Sequence, residues 1–474
     1  MRFRLWPSGL KRFAIRAGLT LLGVALFCGY AMAPSLAFLP YVALVPWAVL
    51  YMEPRRPRVS PLYFLLAGLL CFILCYKTMF RFGWFVPLLI APFFIAPWIL
   101  FPFLIRPIHR LGLPRSITLP VVWVGVEWAR LLLATGHFDL FALGYSQARV
   151  APLVQIADLT GVYGISFLVA AVNGLLADAF FALKDAAWRP RILLRERRIV
   201  IPATVLATAF CVALGYGFLR LETACTTPGP RVALDPTDLE LRIQGMILKG
   251  AQGEVEGQPG RTTSSVFLVD DAGTVRGRYD KQILSPFAEY VPHDRVVGVV
   301  SPPIQRVYRR LVRDVWGTPS TLTPGTHMTL FDLPWNDGTL PFAAVIGVES
   351  AYPALLAEAG RRGARFVVNL TSEGDGDLDE QLLRVCMLRA IENRIAFVRA
   401  GNTGSSGVID PQGRWQSALP GTVPLSPPGT TAYAASHDAF ALLCVAVSLW
   451  LLARALLRGR PTMTPIPVPA GATI

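Results

Sequence analysis

Hydrophobic positions along the chain follow two regimes, and the change between them divides the molecule. Over the first 220 residues they form long runs separated by short polar loops. A helix needs about 20 mostly apolar residues to cross a bilayer. Runs of that kind cover approximately 13–32, 36–51, 62–80, 83–105, 117–134, 162–185 and 199–220, and an eighth follows at 437–457 after a long water-compatible stretch. The run at 36–51 is the shortest, and Pro40 and Pro46 bend it. The first run is longer than the apolar core of a secretory signal, which predicts a retained span. These runs divide the chain into a seven-span membrane domain at 1–220, a soluble segment at 221–436, an eighth span at 437–457 and a tail at 458–474.

Between 229 and 436 the pattern shortens to strand-length runs with turns rich in Gly, Pro, Asp and Asn. Residues 264–270 and 274–279, joined through Asp271-Ala272-Gly273, predict a hairpin. Buried-strand runs at 342–348, 364–370, 396–400 and 407–411 alternate with helices predicted over 352–361 and 381–393. Alternating strand and helix predicts an α/β layered fold. The Gly-rich stretch 250–257 reads as a loop, and the Pro-containing tail 461–474 as disordered.

Composition sharpens the first regime: 53% of the 474 residues are hydrophobic and 16% charged, against about 25% charged in soluble proteins. The net charge of +14 fits nucleic acid, an anionic surface or membrane orientation, and its placement decides. Basic residues crowd alternate loops: Arg2, Arg4, Lys11, Arg12 and Arg16; Arg55, Arg56 and Arg58; Arg106, Arg110 and Arg115; Lys184, Arg189, Arg191, Arg195, Arg197 and Arg198. The loops between them hold only Lys77, Arg81 and Arg149. Loops rich in Lys and Arg stay in the cytoplasm, so both termini are predicted inside and 221–436 on the periplasmic face, with Arg454, Arg458 and Arg460 returning the tail to the cytoplasm. Nucleic acid is not needed to account for the charge. Nothing in the pattern sets an oligomeric state.

Five cysteines, Cys28, Cys71, Cys75, Cys211 and Cys444, fall in predicted spans, leaving Cys225 and Cys386 in the exported segment. A disulfide between those two stays open, because spacing alone does not place their Cα atoms within bonding range. No Cys or His pairing of metal type and no phosphate-binding glycine loop occurs, so neither metal nor cofactor is expected.

In the membrane part, Glu127 and Arg130 lie three apart on one helix face. Further blocks are Gly144-Tyr145-Ser146-Gln147, Gln155, Asp158, Gly161-Val162-Tyr163-Gly164-Ile165-Ser166-Phe167 and Asn173. The soluble part holds Tyr279-Asp280-Lys281, Pro286-Phe287-Ala288-Glu289-Tyr290-Val291-Pro292, Val368-Asn369-Leu370-Thr371, Arg389-Ala390-Ile391-Glu392-Asn393 and Arg399-Ala400-Gly401-Asn402-Thr403-Gly404. In this order and between these spans, the blocks resemble the bacterial apolipoprotein N-acyltransferases. That resemblance implies an eight-span helical membrane domain carrying a periplasmic nitrilase-like α/β sandwich, and a reaction that moves an acyl chain from phospholipid to the α-amino group of a lipid-modified lipoprotein cysteine. The implied partners are phospholipid, lipoprotein and the bacterial inner membrane.

The nitrilase-type site needs a Cys nucleophile, a Glu general base and a Lys for the oxyanion. Lys281 matches the family lysine and Glu289 a second carboxylate, with Ala288 where the family has Gly. The family's Ile-Cys-Tyr-Glu-Ser is here Ile346-Gly347-Val348-Glu349-Ser350, which puts Gly347 at the nucleophile position. No Trp-Pro-Glu base motif lies between Arg231 and Tyr279, and the short interval predicts a domain truncated at its start; Glu254 and Glu256 are not assigned the base role. Glu349 and Ser350 match residues beside the family nucleophile and read as structural. Cys386 sits in a predicted helix and reads as a buried, inert thiol. Arg130, with Glu127 beside it, is the candidate for a lipid phosphate, while His137 and Asp139 replace a Pro-Trp common in the family. Two functions stay open: a lipid- and lipoprotein-binding pseudoenzyme, or an acyltransferase with an unrecognised nucleophile or direct aminolysis.

Overall fold

A computed structural model describes residues 9–458 except 33, 54–58, 78–79, 81–90, 92–94, 134–141, 236–239, 256–257, 286–288, 290–309, 311–312, 314–321, 372–376, 403 and 418. The expectations at His137 and Asp139, at most of the Pro286 to Pro292 motif, within 83–94 and for the 461–474 tail therefore lie outside the described residues.

The first part is helical: α1 (Gly9–Met32), α2 (Pro40–Ala43), α3 (Val45–Tyr51), α4 (Leu62–Cys75), α5 (Leu100–His109), α6 (Arg115–Leu133), α7 (Ala151–Val154), α8 (Ala157–Thr160), α9 (Val162–Asp185) and α10 (Arg197–Glu222). Among the described residues four helices are long and apolar enough to cross a membrane: Arg12–Tyr30 within α1, then α9, α10 and the final helix Ala439–Leu457. The predicted run at 36–51 is instead broken into two short helices. Pro46 has no N–H to continue the helical ladder, and Asn173 of α9 fills the break, accepting from the Leu44 amide at 2.8 Å and donating to the Pro40 carbonyl at 2.8 Å. The helices close on an aromatic core in which Trp47 stacks on Trp123 with centroids 6.2 Å apart and Phe64 on Phe101 at 4.7 Å.

The second part holds two six-stranded sheets. One comprises β1 (Thr227–Asp235), β2 (Glu240–Ile243), β3 (Met246–Val255), β4 (Gln258–Val269) and β5 (Val275–Asp280), with β12 (Gly421–Leu425) beside β1. Every pairing in it is antiparallel. The other runs β6 (Leu330–Trp335), β7 (Gly338–Ile346), β8 (Phe366–Thr371), β9 (Ala396–Gly401), β10 (Gly407–Ile409) and β11 (Trp415–Gln416), with β7, β8 and β9 parallel. Helices α11 (Pro353–Arg361) and α12 (Asp377–Asn393) supply the crossovers that parallel strands require. The short helix α13 (Ala432–Ser436) and the 19-residue helix α14 (Ala439–Leu457) return the chain to the helical part.

Residues 250–255 are strand, not the loop read from their glycines: β3 pairs with β4 from Ile247 to Val255. Glycine is needed within it because a Cβ on Gly253 would sit 2.6 Å from the Arg278 guanidinium and 2.8 Å from Ser265 Oγ. Among the described residues no helix interrupts β1 to β5, in keeping with the short interval. That sheet buries Leu241, Leu248, Val266, Leu268 and Tyr279 on one face and exposes Arg231, Arg242, Lys249 and Arg276 on the other, the pattern of an antiparallel sheet with one solvated side. Cys225 is exposed just beyond α10, whereas Cys386 is buried on α12; both are free thiols, so no disulfide joins them.

Candidate functional site

Gly347 stands where β7 ends and the one-turn helix Gly347–Ala351 begins, with φ +56. A left-handed backbone is the conformation glycine tolerates best. The turn is fixed by Glu349, whose carboxylate is completely buried. Its Oε1 accepts from Tyr279 Oη at 2.9 Å and from the amides of Gln282 at 2.8 Å and Ile283 at 3.0 Å, and its Oε2 from the Ile346 amide at 2.9 Å. Burial lifts this carboxyl above its usual pKa range, against the Ile346 and Ile283 amides and the nearby Lys281 charge, which lower it.

Lys281 follows β5 directly, one residue before the amides that Glu349 holds. The residue is 3% exposed, and its Nζ lies 2.7 and 2.9 Å from the two oxygens of Glu289, with Ser285 Oγ at 3.4 Å. Glu289 also accepts the Ser285 amide at 2.7 Å. The fold thus brings together Lys281, Glu289, Glu349 and, through the Glu349 turn, Gly347. It engages each of the three charged groups in bonds to its neighbours.

Glu127 and Arg130 lie apart from this cluster, on α6 in the membrane part. Glu127 Oε1 accepts from Trp123 Nε1 at 2.7 Å and from the Leu143 amide at 2.9 Å, so it anchors the turn Leu143–Gln147. The Arg130 guanidinium lies over the Trp98 ring, 5.5 Å from its centroid. Two polar residues quoted from the sequence only as part of a motif, with no role assigned, are Asn369 and Thr371, at the end of β8. Both are buried, and neither Asn369 amide atom nor Thr371 Oγ1 has a hydrogen-bond partner among the described residues. Asn369 lay in a quoted motif, but the motif carried no sign that its amide is left unsatisfied.

Several of the remaining motif residues form the seam between the two parts. Arg394, just after α12, donates to Asp158 Oδ2 at 2.7 Å and to Gln155 Oε1 at 2.6 Å, and Arg220 and Tyr216 of α10 also reach Asp158, at 2.8 Å each. Arg389 donates to Tyr145 Oη at 2.9 Å and pairs with Glu392 at 2.6 Å, while Glu392 accepts the Val162 amide at 3.0 Å.

Residues 22–175 match the family model for the apolipoprotein N-acyltransferase N-terminal domain, and residues 241–423 match that for carbon-nitrogen hydrolase. The chain belongs to the apolipoprotein N-acyltransferase family. It is 29% identical to the apolipoprotein N-acyltransferase of Geobacter metallireducens, over 71% of this chain and 73% of that protein. It is 26% identical to apolipoprotein N-acyltransferase 2 of Treponema pallidum, over 70% and 74%. Among solved structures, an amidase of the nitrilase superfamily from Nesterenkonia aligns at 19% identity over 41% of this chain and 65% of its own, with a TM-score of 0.27. The family-model match over residues 241–423 is what gives this part the carbon-nitrogen hydrolase fold.

Proposed function

We propose that this family member binds phospholipid and lipoprotein at a bacterial inner membrane without forming an acyl-thioester. In this reading it spans the membrane eight times and its hydrolase domain faces the periplasm. The observation that carries the chemistry is Gly347. It stands at the strand end where the family resemblance puts the thiol, and it has no side chain to attack an ester. The surrounding charges do not replace it: Lys281 is closed on Glu289 and Glu349 is consumed by four donors. Loss of an acyl-transfer nucleophile costs on the order of 10⁶-fold in rate, and the Trp-Pro-Glu base is missing as well.

The charges at the helix ends support this orientation. Lys184 and Arg197 lie at the ends of α9 and α10 remote from the hydrolase domain, whereas Val162 and Arg220 lie at the ends that touch or precede it. Basic residues gather on the cytoplasmic side, which supports a periplasmic hydrolase domain. The test is to incubate the purified full-length chain with phospholipid labelled in its acyl chain and with a diacylated lipopeptide. Lipopeptide binding without transfer is the expected result. Transfer well above background that Lys281→Ala abolishes would instead make the protein a working acyltransferase with another nucleophile.

A further inference from the structure

Three of the seven cysteines meet in the helical part. Cys28 lies on α1, one turn before its end at Met32, and Cys71 and Cys75 lie in the last turns of α4, which ends at Cys75. Residues four apart share a helix face, so α4 presents two thiols in line. Helices α1 and α4 run side by side and in the same direction. Phe13 near the start of α1 meets Tyr63 near the start of α4, with ring centroids 6.4 Å apart, and the thiols meet at the other end. There the Cys28 thiol is hydrogen-bonded with the thiols of both Cys71 and Cys75.

The three thiols differ in access. Cys28 is 1% and Cys71 4% exposed, whereas Cys75 is half-buried, so a small polar reagent reaches the cluster through Cys75. Among the described residues no group of three His, Cys, Asp or Glu side chains is placed to hold a metal ion, which leaves sulfur chemistry as the reading of the cluster. A disulfide asks for Cα atoms about 4.4–6.8 Å apart. Thiols already in contact across two neighbouring helices are close to meeting that condition, with side-chain rotation to complete it. On the orientation proposed above, these helix ends lie at the periplasmic face, the side on which disulfides persist.

We propose that Cys28, Cys71 and Cys75 form a redox site that takes hydrogen peroxide and stores the oxidation as a disulfide between α1 and α4. The Cys75 sulfur attacks one peroxide oxygen, the O–O bond breaks, and the other oxygen leaves as water with the thiol proton, so Cys75 becomes a sulfenic acid. The Cys28 sulfur then displaces the hydroxyl, which departs with the Cys28 proton as a second water, and the Cys28–Cys75 bond forms. Two thiols lose two electrons and the peroxide gains them. Cys71, in contact with Cys28, next attacks the Cys28 sulfur, which moves the bond inward to Cys28–Cys71 and releases Cys75 as a thiol. This site is independent of Gly347, and it operates whether or not the chain transfers acyl groups.

The test treats the reduced full-length protein in detergent with hydrogen peroxide and maps the peptides by mass spectrometry without reduction. A cross-linked peptide joining α1 to α4 should appear within one chain and vanish on addition of a thiol reductant. Cys75→Ser should slow the cross-linking on the order of tenfold, because the attacking sulfurs that remain are buried. Cys28→Ser should abolish it and let dimedone trap the sulfenic acid at Cys75, while Cys71→Ser should confine the bond to Cys28–Cys75. Oxidation should raise the melting temperature of the natural chain and leave that of Cys28→Ser unchanged. The peptide map of the natural chain decides even where a variant fails to fold. The redox site is overturned if all three thiols stay reduced, if they pass to sulfinic and sulfonic acids with no cross-link, or if cross-links form only between chains. Lipopeptide binding by the reduced chain is measured separately, so its failure counts against the proposed function and not against this site.

Discussion

Tyr279 Oη donates to Glu349 Oε1 at 2.9 Å across 70 residues of sequence, tying the end of β5 in one sheet to the turn after β7 in the other. The same carboxylate holds the Gln282 and Ile283 amides, and Lys281 lies between Tyr279 and those amides. The placement of Lys281 beside this turn therefore depends on Glu349. A buried donor left without its acceptor costs about 1–3 kcal/mol. Glu349→Ala, which strands four donors, should destabilise the hydrolase domain by roughly 3 kcal/mol or more, whereas Tyr279→Phe should cost about 1 kcal/mol. Thermal melting of the two variants orders them; equal, small losses would mean that the turn is held by something else.

Glu392 supplies a pH test. Burial raises its pKa to about 7 in spite of Arg389 beside it, which pulls the other way. The folded state then binds more protons than the unfolded state between the ordinary carboxyl range, about 4.3, and about 7. This group's contribution therefore favours the fold below that window and is lost as pH rises through it. Melting temperature measured from pH 5 to pH 8 should fall less steeply for Glu392→Gln than for the natural chain.

Asp158 is the anchor of the seam: Arg394, Arg220 and Tyr216 all converge on its carboxylate. Removing one partner of a buried ion pair costs about 3–5 kcal/mol because the remaining charges stay buried. Asp158→Ala should loosen the hydrolase domain from the helices, seen as faster proteolysis in the linker just after α10 with the sandwich itself still folded. An unchanged cleavage rate would show that the two parts are held without this cluster.

What could be read from the sequence divides along the range of the interactions. The helices at 162–185, 199–220 and 437–457 declare themselves because a membrane-crossing helix satisfies its own backbone, so its signal is local. The buried strands β8 and β9 were similarly legible as short, continuous apolar runs. The break at Leu44 was not, because Pro46 shows only that a bond is lost, and the replacement comes from Asn173, 129 positions away. Strand β3 was hidden for a related reason: its Gly253 makes room for Ser265 of β4 and Arg278 of β5, which no local pattern records. At the site, Lys281, Glu289 and Gly347 are picked out by motif resemblance alone. The Tyr279 bond, the orphaned Asn369 amide and the Asp158 cluster appear only once distant segments are brought together.

Topology can be checked directly. With both termini inside, a reporter that works only outside the cytoplasm should be active when fused after Leu221 and silent when fused after Arg458, the residue that caps the end of α14. Activity in the reverse pattern would invert the orientation and remove the hydrolase domain from the periplasm.

The most direct chemical prediction concerns the vacant position itself. On the proposed reading, Gly347→Cys supplies a nucleophile but not its base, and a neutral cysteine is only a few per cent thiolate at pH 7. The backbone opposes the change as well, because φ +56 at this residue is a left-handed conformation that costs a residue with a Cβ about 1–2 kcal/mol. Lys281 favours the thiolate by charge, yet it is already paired with Glu289 at 2.7 Å and shares its field with that carboxylate. Gly347→Cys is therefore expected to fold with a lowered melting temperature and to accumulate no hydroxylamine-labile acyl label from phospholipid. Adding Glu289→Gln to Gly347→Cys frees the Lys281 ammonium and should raise the reactivity of the new thiol toward iodoacetamide without restoring turnover. A labelled thioester on Gly347→Cys alone would mean that a general base survives near the turn, and the binding-only reading would then give way to an enzyme that lacks a single atom group.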